Sequence, residues 1–159
     1  MPRKHPSLIG LPLDENAYRV DLELQDRYSA YSAEILRIAL LGIAGYGFLL
    51  KDIVFADHNP APFVQRIHDA WYLLLGGVLC LGVAAALALQ HRVFATNCVA
   101  CIAAFLRKNQ WGCPEEADVE RRALRQNLKW AARLLQVSAV LLALGAGAVV
   151  ATFCYVLWR

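Results

Sequence analysis

Charged residues are scarce in this chain. Asp, Glu, Lys and Arg make up 18% of its 159 residues, whereas hydrophobic residues make up 58%. Soluble domains typically contain about 25% charged and about 45–50% apolar residues. The composition therefore argues against an ordinary soluble globule and against a disordered chain, which would carry more charge and fewer apolar residues. Cysteine is also rare, with five residues, which argues against a small fold built on disulfides.

Two long segments contain no Asp, Glu, Lys, Arg or His at all. They cover residues 70–90 (21 residues) and 134–158 (25 residues). Because a bilayer core of about 30 Å is crossed by about 20 helical residues, both segments are predicted to be transmembrane helices. The alternative is a pair of buried helices in a soluble bundle. We disfavour it, because a chain of this length can rarely cover two such helices on all sides.

Two further apolar segments are shorter. Residues 38–50 form a run of 13 uncharged residues between Arg37 and Lys51. Long basic side chains can extend to the membrane surface, so the predicted span covers about 35–55, with an interfacial or soluble core helix as the alternative. Residues 93–106 are too few for an upright span. We expect them to continue the second helix outside the membrane, with a re-entrant segment as the alternative.

These segments predict an all-α membrane protein. Three transmembrane helices, at about 35–55, 70–90 and 134–158, would extend into a cytoplasmic three-helix stalk. Residues 1–13 contain three prolines and a glycine and are expected to form a flexible tail. Residues 14–159 would form a single helical membrane domain, its first helix beginning near Asp14. A helical hairpin over 91–133 would belong to the stalk.

The basic residues are divided unequally between the two sides of this predicted topology. Residues 1–37 and 91–133 contain 13 Lys and Arg, whereas 51–69 and the C-terminus contain three. The positive-inside rule therefore places the N-terminus in the cytoplasm and the C-terminus outside. We expect an integral protein of a bacterial inner membrane.

Sequence signatures of catalysis are missing. The chain shows no Ser-His-Asp pattern, no phosphate-binding glycine loop and no H-E-x-x-H motif. The predicted spans also contain no Asp or Glu of the kind that proton relays use. We therefore expect a protein that is not an enzyme and needs no cofactor.

The cysteines offer the one weak candidate for metal or redox chemistry, formed by Cys98, Cys101 and Cys113. Cys98 and Cys101 are separated by two residues, and thiols at positions i and i+3 lie on one face of a helix and can bind a soft metal together. A structural zinc site normally needs four ligands, and His91 is two turns away from Cys98. We therefore expect these cysteines to pack as small apolar residues, with no metal bound.

Small residues recur at every fourth position in two of the predicted spans. Such patterns allow helices to approach closely in lipid, either within the chain or between copies. The predicted packing residues are Gly76, Cys80, Ala84, Ala88, Ala139, Ala143, Gly147 and Ala151. Charged residues at the predicted membrane edge form a second set, consisting of Glu34, Arg37, Lys129 and Arg133. Glu34 and Arg37 are one turn apart, so we expect them to form an ion pair.

The sequence thus favours a non-enzymatic assembly or interaction subunit. Its stalk and small-residue positions would bind a second copy of the chain or another membrane protein. The main alternative is an oligomeric channel or pore-forming effector, and a weaker one is a redox or metal-handling membrane protein. Expected partners are the lipid bilayer and a homo-oligomer or membrane-protein partner. Nucleic acid is not expected, because the basic cluster at 121–133 lies among acidic residues and matches no recognition module.

Overall fold

The structure, a computed structural model, describes residues 19–54, 65, 69–110, 112 and 114–158. In these residues the chain folds as three α-helices without any strand, which confirms the all-α prediction. The helices are α1 (Arg19–Val54), α2 (Trp71–Gln110) and α3 (Pro114–Trp158). The predicted N-terminal tail, the predicted helix start near Asp14 and most of the connection between α1 and α2 lie outside the described residues.

All three helices are long. They contain 36, 40 and 45 residues, which at a rise of 1.5 Å per residue corresponds to about 54–68 Å. Two of them, α2 and the part of α3 over Glu115–Tyr155, are long and apolar enough to cross a membrane. Residues 93–106 form part of α2, which is unbroken as far as Gln110.

A short turn joins α2 to α3. Gly112 has a φ of 71°, a left-handed conformation that glycine adopts without a steric penalty, and its N–H donates to the Asn109 carbonyl at 3.3 Å. Pro114 then occupies the first position of α3, where its missing N–H costs no helical hydrogen bond. Glu115 and Glu116 follow in the first turn, where negative charge complements the helix dipole.

The helices form an antiparallel bundle centred on α2. α2 packs along α3 over most of its length and on α1 over a shorter region, whereas α1 and α3 contact each other only slightly. Side chains from all three helices meet in a cluster of Ile35, Ala88 and Leu135. A second cluster joins Tyr46 to Leu74 and Leu81. Since α1 numbers rise between these clusters while α2 numbers fall, the two helices run in opposite directions.

The buried face of α2 follows a seven-residue repeat. Its buried positions are separated alternately by three and four residues, with Ala85 as the one addition: Leu74, Gly77, Leu81, Ala84, Ala88, His91, Ala95, Cys98 and Ile102. A repeat of 3.5 residues keeps one face against its neighbours over a long distance, as in coiled coils. α2 therefore keeps one continuous packed face, as a helix of a coiled coil does, from Leu74 to Ile102.

Candidate functional site

The centre of the bundle is formed by a leucine that inserts between two glycines. A Cβ atom built on Gly42 would lie 2.7 Å from Leu81 Cδ1, and one built on Gly145 would lie 2.7 Å from Leu81 Cγ and Cδ2. Real Cβ atoms do not approach other atoms so closely. The absence of a side chain on both glycines therefore allows α1 and α3 to contact the same residue of α2.

A buried tyrosine, Tyr46, lies one helical turn after Gly42 on α1 and packs beside Gly145. The Tyr46 hydroxyl donates a hydrogen bond to the Gly145 carbonyl at 3.2 Å, and the side chain is 1% exposed. Gly77 provides the space for this ring, because a Cβ there would overlap the Tyr46 hydroxyl and lie 2.7 Å from its Cζ. Tyr46, Gly77 and Gly145 thus bring one residue from each helix into a single contact. We call these residues, together with Gly42 and Leu81, the central layer.

The small residues predicted to pack are divided between buried and exposed positions. On α2, Ala84 and Ala88 are fully buried, Cys80 is half-buried and Gly76 is exposed. On α3, Ala139 is half-buried, and the remaining three face outward: Ala143, Gly147 and Ala151. We call these three residues the outer face of α3. A Cβ on Gly147 would meet nothing within 4 Å.

The helical repeat explains this division. Four residues correspond to more than one turn of 3.6 residues, so positions taken at every fourth residue gradually rotate around the helix. Four buried residues of α3 instead recur at every seventh position: Ala131, Ser138, Gly145 and Thr152. The four-residue pattern therefore leaves the packed face of α3 after Ala139.

A cavity of about 260 Å³ lies between α1 and α3, beyond the end of the second predicted span. Apolar side chains and ring surfaces form most of its lining: Leu24, Tyr28, Leu128, Ala131, Ala132 and Leu135. Gln25 and His91 contribute the polar atoms. We call this space the His91 cavity. Its lining residues come from α1 and α3 on either side and from His91 of α2 between them.

His91 occupies a core position of α2 and is 2% exposed. Its Nδ1 atom is buried and has no hydrogen-bond partner. Burial lowers the pKa of His91 below its ordinary value of 6.5, because the charged imidazolium is poorly solvated there. The side chain is therefore neutral at physiological pH, and it presents an unsatisfied polar atom in a mainly apolar environment.

The candidate metal ligands Cys98 and Cys101 lie in the C-terminal part of α2. Burial, with a smaller contribution from Cys101, raises the pKa of the Cys98 thiol to about 11. The pKa of Cys101 is also raised, chiefly by burial, and its Sγ is 3.9 Å from Asn127 Nδ2. Cys113 lies outside the described residues, and the residues that are described contain no cluster of three His, Cys, Asp or Glu side chains suited to a metal ion. Both thiols therefore resist ionisation, which nucleophilic attack and metal binding require.

The four charged residues predicted to lie at the membrane edge differ in their contacts. Arg37 Nη1 donates to Glu34 Oε1 at 2.7 Å, so the expected pair is present, and both side chains are largely exposed. Arg133 places its guanidinium 5.8 Å from the centre of the Trp130 ring. Lys129 is exposed on α3. An exposed pair such as Glu34–Arg37 contributes little to stability, at about 0–1 kcal/mol.

Ion pairs join α2 and α3 near the turn between them. Lys108 Nζ lies 2.9 Å from Glu120 Oε1 and 3.7 Å from Glu116 Oε2. The hydrogen bond to Glu120 is the main reason that the pKa of Lys108 is raised. On α1, Glu23 pairs with Arg19 at 3.1 Å instead of bridging to the basic residues of α3. The Lys108 ion pairs therefore join the two helices of the hairpin, and the Arg19–Glu23 pair lies within α1.

Sequence reasoning does not single out the central layer or the His91 cavity. A tyrosine within an otherwise apolar segment is a usable signal for Tyr46, because its hydroxyl needs a partner wherever water is excluded. The seven-residue repeat that places His91 in the core is seen in the buried positions of α2 and not in its nearly uniform hydrophobicity. Comparison with known protein families, curated proteins and solved structures returns no match for this chain.

Proposed function

We propose that the chain is an integral membrane protein with three spans, at about 35–55, 70–90 and 134–158. The register of the helices supports this proposal. Gly42, Leu81 and Gly145 lie at one level of the bundle, and each is within a few residues of the middle of its apolar segment. The three segments thus coincide along the bundle axis, as three helices crossing one bilayer require.

The outer surface of α1 agrees with a span in this region. Ile38, Leu40, Leu41 and Phe48 are between 52% and 74% exposed. Apolar side chains exposed at the level of the central layer suit contact with lipid and would be unfavourable in water. This surface favours a third span over a helix that packs inside a soluble bundle.

The length of the helices supports the proposal of a stalk. Each helix exceeds the about 30 Å of a bilayer core by a wide margin, and the excess lies at the ends that carry Arg19, Gln110 and Pro114. The 13 basic residues of 1–37 and 91–133 favour a cytoplasmic stalk at an inner membrane, with the C-terminus outside.

Within this topology we propose an assembly or interaction subunit that binds a second copy or another membrane protein. The observation that carries this proposal is the outer face of α3. Ala143, Gly147 and Ala151 are exposed within the described part of the chain, and they provide a smooth surface where another helix could approach closely. The exposed side chains of Val140, Leu144 and Val150 flank this surface and would pack beside it.

The test is the mass of the particle extracted in mild detergent, together with the identity of any protein that co-purifies. We expect a particle with more than one chain. Gly147→Leu should reduce it to a single chain, because the added side chain blocks close approach. Ala146→Leu is the matched control, since Ala146 is the adjacent exposed residue but points about 100° away. A single chain without partners in the unmodified protein would contradict the proposal.

The same preparation separates this function from a channel. Tyr46 and Leu81 fill the space between the three helices at the central layer, so a pore would have to form between several copies. Ion flux through liposomes that contain only the purified chain would favour a pore. A stable complex without conductance would favour the assembly subunit.

A further inference from the structure

We infer that Lys129, Trp130 and Arg133 of α3 form a binding site for the phosphate headgroup of an anionic phospholipid. The inference rests on the three proposed spans, because it needs a bilayer at this level of the bundle. It does not rest on the proposed assembly function, since none of these residues belongs to the outer face of α3. The observations behind it are the charge around the three residues, their depth, and the contact between Arg133 and Trp130.

The positive charge in this part of the chain is not balanced by neighbouring acidic residues. Residues 121–159 contain no Asp or Glu, and neither do residues 70–114, which include α2. Lys129 and Arg133 are exposed, and neither forms an ion pair with any residue that the structure describes. α1 does carry acidic residues, but α1 and α3 contact each other only slightly. An anion from outside the chain can therefore supply the countercharge.

Lys129 and Arg133 belong to a row of basic residues on one face of α3. Arg122 and Arg125 precede them at spacings of three and four residues, which places all four on the same side of the helix. We call these four residues the basic row of α3. This side points away from the bundle, because the buried Ala131 lies two residues, or about 200° of rotation, from both Lys129 and Arg133. The basic row is therefore open to a ligand from outside the chain.

Depth divides the basic row into two halves. Arg133 directly precedes the third proposed span, and Lys129 lies about 7 Å before its start at the rise of an α-helix. A headgroup layer is about 5–8 Å thick, so these two residues lie at the level of lipid phosphates. Arg125 and Arg122 lie about 14 Å and about 18 Å from the same point, beyond that layer. A headgroup contact therefore involves Lys129 and Arg133 and not the other two.

Trp130 gives this level the chemistry of a membrane interface. Its side chain is 48% exposed, and its ring centre lies 5.8 Å from the Arg133 guanidinium carbon. Tryptophan favours the headgroup layer, where its ring meets lipid and its N–H meets polar groups. The ring holds the guanidinium by a cation–π contact, and the N–H donors of the guanidinium can bind two oxygens of one phosphate. Tyr31, which is also exposed, has the equivalent position on α1, about four residues before the first proposed span.

An anionic lipid suits this site better than a zwitterionic lipid or an acidic protein segment. Each basic residue close to a membrane surface increases the affinity for anionic headgroups by about fivefold. A choline headgroup carries its own cation beside the phosphate and gains less from the site. An acidic helix of a partner protein would use the whole basic row, whereas Trp130 lies beside its membrane-proximal half only.

The test uses the full chain in detergent micelles, titrated with dioleoylphosphatidylglycerol and, separately, with dioleoylphosphatidylcholine. Native mass spectrometry counts the lipids bound to each chain. We expect the unmodified chain to bind phosphatidylglycerol at least about tenfold more tightly. Lys129→Gln together with Arg133→Gln should remove most of this preference. Arg122→Gln together with Arg125→Gln is the matched control, because it removes the same charge from the same face and should retain the preference.

The role of the indole ring is tested by a second pair of variants. Trp130→Leu should weaken the binding of phosphatidylglycerol by about threefold, because Arg133 loses its cation–π contact. Trp158→Leu is the control, since Trp158 is an exposed tryptophan at the opposite end of α3, and it should leave this affinity unchanged.

Several results would overturn the inference. One is equal affinity of the unmodified chain for the two lipids. Another is an equal loss in the two double variants, which would point to an acidic partner along the whole basic row. A third is displacement of the lipid by an equal concentration of glycerophosphoglycerol, the same headgroup without acyl chains, which would show a site for free anions. The proposed spans are tested separately: if Gln65→Cys is labelled from outside the cell and the lipid preference is missing, only the lipid site is wrong.

Discussion

The Tyr46 hydroxyl donates a hydrogen bond to the main-chain carbonyl of Gly145, 3.2 Å away and 99 residues later in the sequence. This bond connects α1 to α3, which otherwise contact each other only slightly. It exists because Gly77 leaves room for the tyrosine ring and because Gly145 allows Leu81 to approach. The association of α1 with the hairpin therefore depends on a few residues of the central layer.

Glycine substitutions should distinguish the central layer from the outer face of α3. Gly145→Ala places a Cβ 2.7 Å from Leu81 and 3.2 Å from the Gly77 carbonyl, and we expect a loss of about 1–3 kcal/mol of stability. Gly147→Ala meets nothing within 4 Å, so it should be neutral or stabilising by up to about 1 kcal/mol. Reversible unfolding in mixed micelles measures both values, and equal effects would contradict the packing described.

The contact between Tyr46 and Gly77 predicts a coupling between two substitutions. Tyr46→Phe should cost about 1 kcal/mol, because it removes the hydrogen bond to Gly145. Gly77→Ala should cost less in the Tyr46→Phe background than in the unmodified chain, since the atom nearest the added Cβ is then gone. A double-mutant cycle of unfolding free energies measures the coupling. Strictly additive effects would show that the two residues are not in contact.

Because of His91, the free energy of unfolding should decrease as the pH is lowered. Its pKa is lowered by burial in the folded state, so the unfolded chain binds the proton more readily. The free energy of unfolding is therefore unaffected well above pH 6.5 and decreases as the pH drops below this value. Unfolding midpoints measured between pH 8 and pH 5 should show this decrease, and His91→Leu should reduce it. An equally steep decrease in the variant would assign the effect to other groups.

The Cys98 thiol should react slowly. A pKa of about 11, compared with an ordinary value of 9.0, lowers the thiolate fraction at neutral pH by about 100-fold. Burial of the side chain slows the approach of reagents further. Alkylation with iodoacetamide followed by mass spectrometry should therefore modify Cys98 at least about 100-fold faster after denaturation. Similar rates in both states would show that α2 is open around Cys98.

The sequence predicts the helices better than it predicts the contacts between them. Uncharged segments, together with Gly112 and Pro114 in the turn, are enough to indicate an all-α chain with a hairpin, because these are properties of local sequence. Contacts depend on which face each helix turns inward. The core of α2 mixes leucine with alanine, glycine, histidine and cysteine, and its hydrophobicity is nearly uniform around the helix, so the packed face is hidden in the sequence.

The small packing residues and the His91 cavity are also hard to predict from local sequence. Ala84 and Ala88 are fully buried, as expected for small residues where two helices pack. Gly76 and Gly147, from the same pattern, are exposed. A four-residue pattern cannot identify which of its members stay on the packed face of a 3.5-residue repeat. The His91 cavity is still harder to predict, because it depends on a gap between α1 and α3 that no local pattern encodes.

The most direct test of the proposed topology is the sidedness of single cysteines in a cysteine-free background, using a membrane-impermeant thiol reagent on intact cells. Asp26→Cys, Gln65→Cys, Asn109→Cys and Trp158→Cys are suitable, because all four side chains are exposed and none is basic. Three spans predict that only the variants at Gln65 and Trp158 are labelled from outside. If Gln65 and Asp26 are found on the same side of the membrane, α1 does not cross it, and the three-span account is wrong.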